Sequence, residues 1–93
     1  MFVVLHAKSY RKALKRLSRI KSFDIHAVER VVVLLASGKM LPSIHHDHPL
    51  VGHMKGLREC HIRNDLLLVY QIKKCELVLV LIDLGTHQDI FGD

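Results

Sequence analysis

The sequence predicts an α+β domain, an N-terminal strand and a helical hairpin packed on an antiparallel β-sheet. Three observations predict it. Apolar residues recur at helical spacing from about residue 9 to 37. After Gly56 they form strand-length runs instead, joined by short polar turns. The two patterns are segregated along the chain rather than alternating, which separates this class from a parallel βαβ architecture.

The elements follow in order. Phe2 to His6 is short, apolar and partly β-branched, and reads as a strand. Ser9 is positioned to cap the helix that follows. Tyr10, Ala13, Leu14, Leu17 and Ile20 form its apolar stripe. Asp24 is positioned to cap a second helix, whose stripe is Ile25, Val28, Val31, Val32 and Leu35. The β-branched run Val31 to Val33 argues for a strand, but the helical period and the stop at Gly38 outweigh it. From Lys39 to Met54 no period holds, and Pro42, Pro49 and Gly52 mark a long loop. Leu57 to Ile62, Leu66 to Ile72 and Glu76 to Ile82 read as three strands of an antiparallel meander. Gly85 ends the last of these and leaves Thr86 and His87 at its lip. Ile90 and Phe91 offer a final apolar anchor.

The chain of 93 residues reads as a single domain, 1–93. No apolar run reaches the roughly 18 residues of a membrane span, and the start of the chain lacks the pattern of a signal peptide. A cytoplasmic protein without membrane contact is therefore expected. Cys60 and Cys75 have no metal-ligand spacing and are expected as free thiols. The net charge is +5 and it is unevenly placed. Residues 1–30 carry eight Lys or Arg against two acids, and the remainder carries six against seven. A basic first third suits a polyanion such as RNA or an acidic protein, or is a solvated helix face.

Eight histidines fall in this short chain. Imidazole both takes and gives a proton near neutrality. Metal-free RNA cleavage needs a base at the ribose 2′-OH, an acid at the leaving 5′-oxygen, and stabilisation of the phosphate. His48, His61, Asp65 and His87 could supply the proton transfers, and Lys55 and Arg58 the charge. The residues permit this chemistry without singling it out. A metal centre is the rival, but no H-x₃-H, HExxH or CxxC spacing supports it. His45 and His46 read as solvated loop residues, and His6, His26 and His53 as surface or half-buried polar groups. Cys60 reads as a small core residue. Strand geometry argues against a Cys60–His61 nucleophile pair, since adjacent strand residues point to opposite faces.

Four blocks carry a further signal: HPL-x-G at His48 to Gly52, KGLRECHI at Lys55 to Ile62, Asp65 opening LLLVY, and GTHQDIFG at Gly85 to Gly92. In this order and spacing they resemble the YafQ branch of the RelE-like toxins of prokaryotic type II toxin–antitoxin modules. The resemblance implies a RelE-like toxin fold and a ribosome-dependent mRNA endonuclease. It implies cleavage through the 2′-OH to a cyclic phosphate, with no cofactor and no metal. It places His48, His61, Asp65 and His87 at catalytic positions and Phe91 at a supporting one. Glu59 matches an acidic position after Arg58. His87 is then the general acid and His61 the base, with His48 sharing that role. Asp65 orients an imidazole or binds RNA. The implied partners are a cognate acidic antitoxin, with which the chain forms a hetero-oligomer, and the ribosome with its mRNA.

The chain departs from that pattern at Asp83, where a basic residue is usual. Met54 and Leu66 stand where aromatics are common. Asp83 motivates an alternative: a catalytically weakened toxin-fold protein acting through antitoxin binding and operon autoregulation. A third reading is a basic RNA-binding domain without a protein partner.

Overall fold

The computed structural model describes residues 1–92. Within them the chain forms β1 (Val3–His6), α1 (Lys8–Leu17), α2 (Ile25–Ala36), β2 (His48–Pro49), β3 (Arg58–Arg63), β4 (Leu66–Lys73), β5 (Val78–Gly85) and α3 (His87–Phe91). The strands make one five-stranded sheet in the order β1-β5-β4-β3-β2. The antiparallel meander β3-β4-β5 is its centre, as the sequence predicts. β1 adds to one edge in parallel with β5, and the two-residue β2 adds to the other in antiparallel.

One face of the sheet carries the helices. Tyr10, Ala13 and Leu17 of α1 and Val28, Val31 and Leu35 of α2 meet Cys60, Ile62, Leu68, Tyr70, Leu79, Leu81 and Leu84 in a continuous core. Burial of this period keeps Val31 to Val33 helical against their local β preference. Asp24 caps α2 by accepting from the His26 and Ala27 amides. At its other end Gly38 takes φ +75°. There the Gly38 and Lys39 amides donate back to the Leu35 and Leu34 carbonyls at 3.0 and 3.1 Å. That pairing satisfies the end of the helix and needs a left-handed residue, which glycine supplies at little cost.

Three expectations are corrected. Ser9 is not the α1 cap. Ala7 holds that position without a side-chain bond, and the Ser9 hydroxyl instead donates to the Ile82 carbonyl, tying α1 to β5. Ile20 lies beyond the helix and is 49% exposed, so it leaves the stripe. The two helices follow one another as predicted, each seated on its own part of the sheet. α1 packs on β5 and α2 on β3, and an apolar groove lined by Tyr10, Leu14, Val28 and Val32 lies between them. The last strand is Val78–Gly85, later and longer than the run Glu76 to Ile82, because Lys74–Glu76 closes a 3₁₀ turn first. Among the described residues no helix is long and apolar enough to cross a membrane.

Candidate active site

The helix-free face of the sheet carries His48 and His61. Alternation along β3 sends Cys60 and Ile62 into the core and turns Glu59 and His61 to the other side. β2 then pairs His48 directly with Glu59. His48 Nε2 lies 3.7 Å from Glu59 Oε1, and His61 Nε2 lies 3.6 Å from the same oxygen. The Glu59 side chain is only 5% exposed, against 48% and 38% for the two imidazoles. A carboxylate so enclosed needs partners, and the two rings are those partners. The loop before β2 fixes the rings in turn. His48 Nδ1 donates to the His46 carbonyl at 2.7 Å, and His45 Nδ1 donates to the His61 carbonyl at 2.6 Å. His46 sits edge-on to His61 at a centroid distance of 5.3 Å. His45 is thus half-buried and bonded rather than a solvated loop residue, because it closes the loop onto β3.

His87 opens α3, and three devices hold it there. Thr86 accepts from the Asp89 amide while Asp89 accepts from the Thr86 amide, a reciprocal cap. The Thr86 amide bond is the main cause that holds the Asp89 carboxyl below its ordinary range, helped by Arg16. Asp65, in the β3–β4 turn, accepts the His87 amide at 3.2 Å. That amide is one of the orphan donors of a helix start, so Asp65 positions the backbone of His87. Phe91, one turn on, packs against the His87 ring at a centroid distance of 4.7 Å, tilted by 50°. Gly85 is required for a different reason. A Cβ there would stand 2.9 Å from the Asp89 Cβ, so only glycine lets α3 fold back this closely.

The register joins the two groups. His61 pairs with Leu67, and Leu67 pairs with Gly85. Two strand spacings put the His61 and Gly85 backbones about 10 Å apart on one face, with His87 two residues further along. Leu67 and Val69 floor the space between them, buried yet outside the helix-side core. His48, His61 and the Asp65–His87 pair therefore border one open surface, which suits a long polymer better than an enclosed pocket does.

Arg58 does not reach this surface. It pairs with Tyr70 on the helix side of the sheet, and its guanidinium bonds to Asp47 at 3.3–3.4 Å. Alternation dictates this, since Arg58 precedes Glu59 and must face the other way. Lys55 is exposed in the turn before β3. Asp47 and Tyr70 were not singled out by the sequence. The Tyr70 hydroxyl donates to Asp47, pinning the loop that presents His48. Burial, and then this bond, push the Tyr70 phenol above its ordinary pKa. The available signal was a tyrosine within an apolar strand, whose buried hydroxyl must find a partner.

Known proteins share this arrangement of fold and blocks. A family described as bacterial toxin of type II toxin-antitoxin system, YafQ, matches residues 3–92. The mRNA interferase toxin YafQ of Escherichia coli strain K12 is 31% identical over 88 residues, which cover 94% of this chain and 92% of that protein. A metal-bound toxin from Helicobacter pylori superposes with a TM-score of 0.90 at 44% identity, over 98% of this chain and 100% of its own. A chain of the E. coli DinJ–YafQ complex superposes with a TM-score of 0.87 at 26% identity, over 99% of this chain and all of its own. With the family matched along nearly its whole length, and its blocks lying around one face of the sheet, this chain belongs to the YafQ toxins of bacterial type II toxin–antitoxin systems.

Proposed function

We propose that this protein is an mRNA interferase, a single-domain cytoplasmic toxin that cuts message on the ribosome and is neutralised by an acidic antitoxin. One observation carries the chemistry. Two imidazoles converge on the buried Glu59 carboxylate, on an open face that also borders the helix start bearing His87.

His61 takes the proton of the ribose 2′-OH, and His48 shares that role. Glu59 holds both Nε2 edges and balances the charge on whichever ring has accepted the proton. The 2′-oxygen attacks the adjacent phosphorus, the P–O5′ bond breaks, and His87 gives its proton to the leaving oxygen. Asp65 keeps His87 in place through its backbone, and Phe91 keeps the ring from rotating away. Lys55 meets the RNA backbone from the turn before β3. These proton transfers need only the side chains named here.

The antitoxin reading rests on the basic first third and the apolar groove between α1 and α2. An acidic amphipathic segment fits both features. Induced expression of the gene alone should arrest growth and produce cleaved messages by primer extension. Co-expression with an adjacent acidic antitoxin gene, or His87→Ala, should remove both effects. Neither growth arrest nor message cleavage, with the antitoxin complex still forming, would instead favour the weakened binding module.

A further inference from the structure

β5 carries an irregularity that decides what faces the histidines. Leu79 and Leu81 alternate into the helix-side core. Continued alternation would send Asp83 in after them. Instead the pairing slips: Tyr70 faces Leu81, Val69 faces Asp83, and Ile82 has no partner. Past this bulge Leu84, which is 0% exposed, enters the core against Leu68. Asp83 is thereby turned to the opposite face, which is how bulges beside active sites re-aim side chains.

There it completes a row across the sheet, His48–Glu59–Val69–Asp83, beside the row His61–Leu67–Gly85. Strand spacing puts Asp83 about 10 Å from Glu59 and about 7 Å from Gly85 along β5. One Asp83 oxygen accepts the Leu84 amide at 2.8 Å. Among the described residues no cation pairs with it. Arg58 is on the other face with Asp47. Lys73 shares the face but lies four residues along β4 from Val69, about 13 Å away.

We infer that Asp83 attenuates this nuclease: its carboxylate repels the RNA phosphate from the histidine face and sets a low affinity for the backbone. The inference rests on the reading of that face as the RNA-cleaving site. The repulsion is present on binding and grows as the attacked phosphate gains charge. Asp83 therefore lowers cleavage as well as affinity.

The test compares the parent with Asp83→Asn and Asp83→Arg. The Asn side chain keeps an oxygen to accept the Leu84 amide and removes only the charge. Binding of a 2′-O-methyl oligoribonucleotide to the free protein is measured by fluorescence anisotropy at low and high salt. Cleavage of ribosome-bound mRNA is measured alongside. Kd should fall about fivefold for Asp83→Asn and further for Asp83→Arg, with the gain shrinking at high salt. Cleavage should rise in the same order. Unchanged or weaker binding by Asp83→Asn overturns the inference. Tighter binding with no cleavage by any variant upholds the role of Asp83 and overturns the nuclease reading, so the two failures are separable.

Discussion

Glu59 serves two histidines with one oxygen, so its removal should be felt twice. Glu59→Gln keeps the shape and loses the charge that balances a protonated ring. Cleavage of ribosome-bound mRNA should fall while the circular dichroism spectrum is retained. His61→Ala should cost roughly 10²–10⁴-fold in the single-turnover cleavage rate, the usual worth of a positioned general base. A loss of only a few fold would assign the base to another group. The cysteines make a second residue-level contrast. Burial, with Asp47 and Glu59 nearby, pushes the Cys60 thiol up to about 12, so at pH 8 only about one in ten thousand is thiolate. Cys75 is exposed. A thiol reagent at pH 8 should therefore label one cysteine per native chain and two in denaturant. Rapid labelling of both would place Cys60 outside the core. His48, His61, Asp65 and His87 were singled out because their blocks resemble a family's, not because their chemistry is unique. Asp47 was not legible, since its role depends on a tyrosine 23 residues away.

The element that matters most for its size is α3, five residues held by a cap, a neighbouring turn and one glycine. Thr86→Ala should cost about 1 kcal/mol of local stability, the ordinary worth of a lost cap. Because His87 is the first residue of α3, activity should drop more than the melting temperature does. Gly85→Ala should do the same by a different route, with the added Cβ pressing on Asp89. Cleavage assays paired with thermal melts check both; an unchanged rate in both variants would mean that α3 does not position the acid. The spacing Thr86-x-x-Asp89 was a readable start signal for this helix. α2 was read correctly because its buried period runs through the whole helix and overrides three valines. β2 was not, because two residues carry no period. The bulge at Ile82 was equally hidden, since a register shift exists only relative to the partner strand.

Across the whole molecule, function divides by face and by charge. The helices cover one side of the sheet, with α1 carrying five of the fourteen Lys and Arg and no acid, while His48 and His61 face the other side. The α+β class and the meander were legible from period and turn chemistry. The parallel docking of β1 on β5 was not, because it joins segments about 75 residues apart in sequence. Complex formation with the acidic antitoxin should slow as salt rises, by screening of the excess charge on residues 1–30. Stopped-flow association rates at two ionic strengths check this; a rate independent of salt would place the antitoxin away from the basic residues of 1–30. The central claim is that the histidine face cleaves RNA through the ribose 2′-OH. Mapping the ends of the message cleaved on intact ribosomes tests it most directly. The account predicts a 2′,3′-cyclic phosphate on the upstream fragment and a 5′-hydroxyl on the downstream one. A 3′-hydroxyl with a 5′-phosphate would contradict it.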